Sequence, residues 1–317
     1  MQTIKLDKPV FTNLYCDGIS CALSEFVTVP KDFDACKNLS PDDCQTLVEY
    51  AAMKNKVAGV GHLYIKVPNY GIGKKALEKF VMTGCEIIDA HQIQNLPTSA
   101  MIGESTIVEI ADLLDFQQNA LSDIADTVAR AELPLMIDFG SDLEKVGRLV
   151  NLYKMSPAQV LESFGFLDRK CFLRGLNFID KDDQKLIRDY AATCIFTPRD
   201  DGMHGRGAIN LYSFACNNLK YGFGSGAHYN IDMLAECQLS LYNTANLMFE
   251  PDLLAPKDLL AAISNGVAPA DIAEKLGAQP CASELHMFDK RVELSQFYQS
   301  DLREKAQEIS YKLKEKI

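Results

Sequence analysis

The feature that most limits what this chain can fold into is an alternation of two periods. Short apolar runs recur at "VFTNLYC", "VAGVGHLYI", "CEIIDAH", "TIVEIADLL", "LPLMIDF", "CFLRGLNFI", "AATCIFTP" and "LKYGFGSG". Each is rich in β-branched or aromatic residues and short for a buried helix, so each reads as a strand. Helical stretches separate most of them. "SPDDCQTLVEYAAMKN" opens on Ser-Pro with acids in its first turn, the pattern of a capped helix whose macrodipole is compensated. "GKKALEKFVMTG" reads as a helix ending at glycine, and "NALSDIADTVARAEL" places apolar residues at helical spacing. "DDQKLIRDYA" and "IDMLAECQLSLYNTANLMF" continue the series. Strands joined through helices run parallel, with both faces of the sheet covered. A doubly wound sheet would satisfy that rule, but eight such runs before residue 230 fit a (β/α)8 barrel better, with any active site at the C-terminal ends of its strands.

Beyond residue 230 the chain reads as helical, ending in "VELSQFYQSDLREKAQEISYKLKEKI". Leu294, Phe297, Leu302, Ile309 and Leu313 recur at roughly helical spacing. The segment from Val292 to Lys316 is therefore expected to pack on the barrel, or on a second copy in a homodimer. One domain over residues 1–317 is expected, with a helical extension over about 231–317 and no separate β-sandwich.

Composition narrows the partners. A chain of 317 residues that is 47% hydrophobic can bury a large core. A net charge of −11 repels nucleic acid and anionic membrane surfaces, which argues against either as the main partner. No apolar run approaches the roughly 20 residues needed to span a bilayer, and "MQTIKLDKPV" lacks the apolar core of an export signal. A cytoplasmic protein with reduced thiols is the expectation. The ten cysteines stand singly, with no CxxC pair, which argues against a structural zinc site.

Two glycine-rich stretches could cradle an anion at a helix start. "GIGKKALEKF" lacks the full GxxxxGK[ST] spacing and reads as an ordinary solvated first turn. "GFGSGAHYN" follows the eighth run, where barrels often place phosphate sites. Of the five histidines, His62, His91, His204 and His228 fall in or just after the second, third, seventh and eighth runs; His286 does not. If they sit at strand ends they lie on the functional rim, although a lone histidine is commonly a satisfied structural residue. No HxH or HExxH pair occurs.

Between Asp126 and Leu247 the sequence resembles a known family. "DTVARAELPLMIDFGSDLEKVGRLVNLYKMSPAQVLESFGFLDRKCFLRGLNFIDKDDQKLI" is similar to the amidohydrolase superfamily, in the branch of chlorohydrolases, cytosine deaminases and aminofutalosine deaminases. A helix leads through Leu-Pro into strand five, and Ser-Pro opens a helix that closes on "GFLDRK". "GSGAHYNIDMLAECQLS" resembles the strand-eight segment, "VFTNLYCDG" the strand-one signature Asn-x-His-x-His, and "AAISNG" a late helix ending Asn-Gly. The resemblance implies a metal-dependent hydrolase barrel acting on non-peptide C–N bonds, where a divalent ion activates water.

The positions that the resemblance assigns to the metal do not carry its ligands. The two strand-one histidines correspond to Tyr15 and Asp17, the strand-five histidine to Asp138, and the acid–base glutamate after it to Ser141. The strand-six histidine falls on Gly175, or on Arg174 in a register shifted by one, and the strand-eight aspartate falls on Gly226. Carboxylates and a phenol make a harder, weaker set than imidazoles, and glycine offers no side chain. No metal or cofactor is therefore expected.

Two functions remain open. One is a pseudoenzyme that binds a small molecule in the barrel mouth. The alternative is an active hydrolase or deaminase of cyclic amides or amidines, with or without a non-standard metal. In it Asp17, Asp138, His62 and His91 are the candidate catalytic groups, because paired carboxylates can split their pKa values. Tyr15, Arg174, Asn177, Arg199 and His228 are the candidate ligand-binding residues. Two bare carboxylates would repel, so Asp138 is expected to be tied to a histidine, arginine or tyrosine, with His62 and His91 nearest by topology and Arg174 and Arg199 further round.

Overall fold

The computed structural model describes residues 11–27, 39–95, 106–168, 170–264 and 301–314. Its strands are β1 (Phe11–Asp17), β2 (Val60–Lys66), β3 (Thr83–Asp89), β4 (Thr106–Ile110), β5 (Leu135–Asp138), β6 (Cys171–Arg174), β7 (Thr193–Phe196) and β8 (Lys220–Phe223). Each coincides with one of the apolar runs. They form a single eight-stranded sheet in chain order, and the pairs β1–β2, β4–β5, β5–β6 and β6–β7 are parallel. Closure comes just after β8, where Cys16 and Gly226 form a parallel bridge. There the Asp17 N–H donates to the Gly226 carbonyl at 2.9 Å, and the Gly226 N–H to the Tyr15 carbonyl at 3.0 Å. Helices lie between the strands, and the whole is a (β/α)8 barrel.

The helices are α1 (Gly18–Leu23), α2 (Pro41–Val57), α3 (Ile72–Lys79), α4 (Gln118–Arg130), α5 (Leu143–Tyr153), α6 (Pro157–Ser163), α7 (Lys181–Asp189), α8 (Pro198–Met203), α9 (Leu211–Cys216), α10 (Met233–Met248), α11 (Pro256–Ile263) and α12 (Asp301–Lys314). Among the described residues no helix is long and apolar enough to cross a membrane. The described residues gather into two compact units. One comprises the described residues within Met1–Glu86, Phe223–Leu239 and Leu254–Ile317; the other comprises those within Ile87–Gly222 and Ser240–Leu253.

In the first unit a buried polar knot joins β1 to α2 and to the turn after β8. The Asn13 side-chain amide donates to Asn55 Oδ1 at 2.7 Å and to Ser225 Oγ at 2.8 Å, while Asn13 Oδ1 accepts from the N–H groups of Ser225 and Tyr15. All three side chains are fully buried, where an unmet hydrogen bond is expensive. Ser40 caps α2 ahead of Pro41, with Asp42 and Asp43 in the first turn and Lys54 and Lys56 in the last, as read from the sequence. The tail helix α12 packs on α2. Ala306, Ile309 and Leu313 are buried, and Arg303 pairs at 3.1 Å with Glu25, which also holds Lys54 at 3.0 Å. Leu302 is half-buried; Leu294 and Phe297 lie outside the described residues.

The "GIGKK" turn differs from expectation in an informative way. Its helix α3 ends at Lys79 rather than running to Gly84. The chain reverses through Val81 at φ 52°, and Gly84 belongs to β3, where a Cβ would fall 1.8 Å from the Leu63 carbonyl oxygen. The amides at the start of α3 are already met by an internal anion. The buried Glu86 carboxylate accepts from Gly71 N–H at 2.9 and 3.1 Å and from Lys74 N–H at 3.4 Å. Burial raises the Glu86 carboxyl above its ordinary range, while these backbone donors pull it down. A Cβ on Gly73 would come 2.7 Å from Glu86 Cβ, so only glycine lets the carboxylate seat this closely.

Candidate functional site

In the second unit the C-terminal ends of β4 to β7 deliver charge into one cluster. Glu109 is the penultimate residue of β4 and is fully buried. Asp138 ends β5 and Arg174 ends β6, and the two are direct partners in the β5–β6 register. Arg174 Nη2 lies 3.0 Å from Asp138 Oδ2 and 3.4 Å from Glu109 Oε1. The other Asp138 oxygen accepts from Ser141 Oγ at 2.7 Å. The Asp138 and Arg174 side chains are 11% and 9% exposed, enough seclusion for each charge to depend on the other.

After β7 the chain turns through Thr197 and Pro198 into α8, whose first turn carries Asp200 and Asp201. The Asp200 carboxylate holds His204 Nδ1 at 3.1 Å and Arg206 Nη1 at 2.8 Å. Asp201 lies further from Arg206, at 3.7 Å. These contacts divide two adjacent acids. Burial works against the charge on Asp200, yet His204 and Arg206 hold its carboxyl below the ordinary range. Burial, with Asp200 beside it, pushes Asp201 up to about 7. The hydrogen bond to Asp200 raises His204 above its ordinary value. The cluster thus holds one carboxylate fixed in charge and one poised to exchange a proton near neutrality, a pairing suited to acid–base work or to receiving a polar ligand.

The residues singled out from the sequence divide accordingly. Asp138, Ser141, Arg174 and Gly175 come together. Asp138 is indeed tied to an arginine, but Arg174 rather than a histidine is its neighbour, because β6 is the strand bonded to β5. Asn177 serves the same region by donating from Nδ2 to the Arg206 carbonyl at 2.9 Å. Arg199 is half-buried in α8. His91 follows β3, pairs with Asp89 at 2.6 Å and stacks on Phe116 at 4.3 Å.

His62 is not a rim residue. It pairs with Thr12 in a register where Asp17 pairs with Lys66, so it sits four residues, about 13 Å, below the strand end. Its Nδ1 lies 3.0 Å from Thr83 Oγ1. Asp17 is committed to structure, since its side chain caps α1 by accepting from the Ser20 N–H at 2.9 Å. Tyr15 is buried. His228 is half-buried and accepts at Nδ1 from the Asn230 N–H at 3.2 Å. Glu109, Asp200, Asp201 and Arg206 also belong to the cluster and stand outside the candidates taken from the sequence. Two signals were available: a glutamate inside the apolar run "TIVEIADLL", and the charge-dense "PRDDGMHGR" after strand seven.

The positions that the resemblance assigns to a metal do not fit one. A Cβ on Gly175 would lie 2.2 Å from Asp138 Oδ1 and 2.6 Å from Ser141 Cβ, and the residue adopts a left-handed φ of 69°. Both Asp138 oxygens are engaged, one of them by a guanidinium that repels a cation. The Gly226 backbone is consumed in closing the barrel. Among the described residues no group of three His, Cys, Asp or Glu is arranged to hold an ion.

No protein-family model matches the chain, and no curated protein matches it in sequence. Solved structures match it in fold. A guanine deaminase from C. acetobutylicum with bound guanine superimposes with a TM-score of 0.70 at 11% identity, covering 96% of this chain and 82% of that one. An amidohydrolase from Brucella melitensis gives 0.66 at 14% identity, covering 98% and 89%. A zinc-bound adenosine deaminase from Xanthomonas campestris gives 0.64 at 10% identity over 76% of this chain. The chain spans only 62% of the length of that adenosine deaminase. With strand order, parallel pairing and these superpositions in agreement, the fold is the amidohydrolase-type (β/α)8 barrel.

Proposed function

We propose that this protein is a divergent amidohydrolase-type barrel that binds a small polar molecule at the ends of β4 to β7 without metal-dependent hydrolysis. One observation carries the reading. The Asp138 carboxylate, locked by Arg174 and Ser141, fills the space that a side chain at residue 175 would need. A water-activating ion has no ligand set there, whereas hydrogen-bonding and charged groups remain to orient a ligand. The similar structures include deaminases, one with guanine in its active site, which favours a planar nitrogen heterocycle or cyclic amide as ligand.

The test is a thermal-shift panel of nucleobases, pterins and cyclic amides on purified full-length protein, with elemental analysis and turnover assays in parallel. A raised melting temperature without turnover and without bound metal is the expected outcome. Zinc, iron or manganese near about one equivalent per chain, or turnover lost to a chelator and restored by zinc, would overturn the reading. A second reading, metal-free acid–base hydrolysis, is favoured by one observation, the proton that Asp201 can exchange near neutrality. Turnover that survives chelator and disappears in Asp201→Asn would establish it instead.

A further inference from the structure

We propose that a cavity in the helical layer, beside α4, binds a small organic cation: an aromatic body carrying an ammonium group. The site is separate from the strand-end cluster, because α4, α5, α6 and the turns that follow α5 and α6 supply its walls and no strand does. Ser122 and Asp126, one turn apart on one face of α4, line it together with Leu152, Tyr153, Met155 and Phe164. Helix α5 stops at Tyr153, where Lys154 turns the chain at a left-handed φ of 57°, and α6 stops at Ser163, just before Gly165 at φ 68°. The gap left against α4 measures about 560 Å3, within the roughly 300–1,000 Å3 of small-molecule sites.

Three features choose the ligand. The first is charge. Among the described residues no hydrogen bond or ion pair engages the Asp126 carboxylate. Arg130, one turn further on, directs its guanidinium to the Asp126 backbone carbonyl at 3.3 Å and the Thr127 hydroxyl at 3.5 Å. An unpaired carboxylate on a chain of net charge −11 draws a cation and repels an anion. The second is the aromatic corner. The Tyr153 and Phe164 rings lie 5.8 Å apart with their planes at 88°, and Phe166, stacked at 5.7 Å, backs Phe164. Such a corner packs a flat ring and gives an ammonium group a π face. The third is open apolar surface. Leu152 is 65% and Met155 41% exposed, and apolar surface gathered around one concavity marks a place where something docks.

The experiment uses the full chain with isotope-labelled methionine methyl groups, titrated with phenethylamine. The Met155 resonance, assigned by its absence from Met155→Leu, reports on this cavity, so ligand held at the strand ends is told apart. Phenethylamine should shift it saturably. Hydrocinnamate, of similar shape and opposite charge, and ethylamine, which lacks the ring, should each bind at least about threefold more weakly. Asp126→Asn should weaken phenethylamine about threefold without moving the melting temperature, because Asp126 is exposed. Tyr153→Ala should weaken it as well, and Tyr153→Phe should not. In wild type, raising salt from about 0.05 to about 0.5 M should also weaken it, a test of charge that depends on no variant's folding. The proposal falls if phenethylamine leaves the Met155 resonance unmoved or never saturates it. It falls equally if hydrocinnamate or ethylamine binds as well, if salt has no effect, or if Asp126→Asn binds undiminished. Its failure would leave the strand-end reading standing.

Discussion

Asp201 makes stability depend on pH in a direction opposite to that of most carboxylates. Its side chain is 11% exposed and faces Asp200, Arg206, Arg174 and Asp138. Burial and the neighbouring Asp200 move it from an ordinary 3.8 to about 7. The folded protein therefore holds this proton more tightly than the unfolded chain does. Its contribution is fully present below about pH 4 and is lost as pH rises towards about 7. At roughly 1.36 kcal/mol per pH unit the whole interval amounts to about 4 kcal/mol, and coupling within the cluster brings the expected change to about 2–4 kcal/mol. Asp201→Asn keeps the shape and removes the titration. Urea unfolding at intervals from about pH 5 to about pH 8 should show the variant gaining on wild type up to about pH 7 and holding level above it. His204, raised by Asp200, loses its contribution in the same direction, but it titrates in both proteins and cancels in the difference. Asp200, held low, acts only in more acidic solution. Parallel curves for the two proteins, or a variant that loses ground as pH rises, would refute the reasoning.

Gly175→Ala should lower stability by about 2–4 kcal/mol, from left-handed strain and from a Cβ forced against Asp138 and Ser141; a urea midpoint indistinguishable from wild type would contradict the close approach. Asn13→Ala leaves Asn55 and Ser225 buried without their shared partner and should cost about 2–4 kcal/mol, with faster amide exchange in β1 as the local signature. Glu86→Ala uncovers the first amides of α3 and should cost about 2–3 kcal/mol, measured by thermal melting. His62→Ala, well below the strand ends, should leave ligand binding unaltered, and a lost thermal shift would place the site elsewhere.

The barrel was legible because burial on both faces forces apolar runs of strand length, and each of the eight runs holds a strand. The helix starts were equally plain, since Ser40 and Ser156, each followed by proline, carry their caps in the sequence itself. The site was less legible. A side chain's task depends on the strand beside it, and only the register revealed that Arg174 answers Asp138. His62 misled because a residue inside a strand can lie at either end of the barrel, which composition does not encode. Asp17 matched a signature position, yet the turn into α1 needed its carboxylate as a cap. The acids after β7 passed unremarked because a charged loop looks solvated until its burial is known.

The knot between Asn13 and Ser225 joins residues 212 apart in sequence, and that separation orders events during folding. Loop closure on this scale is slow relative to local helix formation. Until residue 225 has left the ribosome, the first strand keeps an open edge and the Asn13 amide lacks one of its two acceptors. An open strand edge invites pairing with other chains. Nascent chains stalled before residue 225 should therefore be the species that most needs chaperone capture, and release of the eighth strand is the step that ends their exposure.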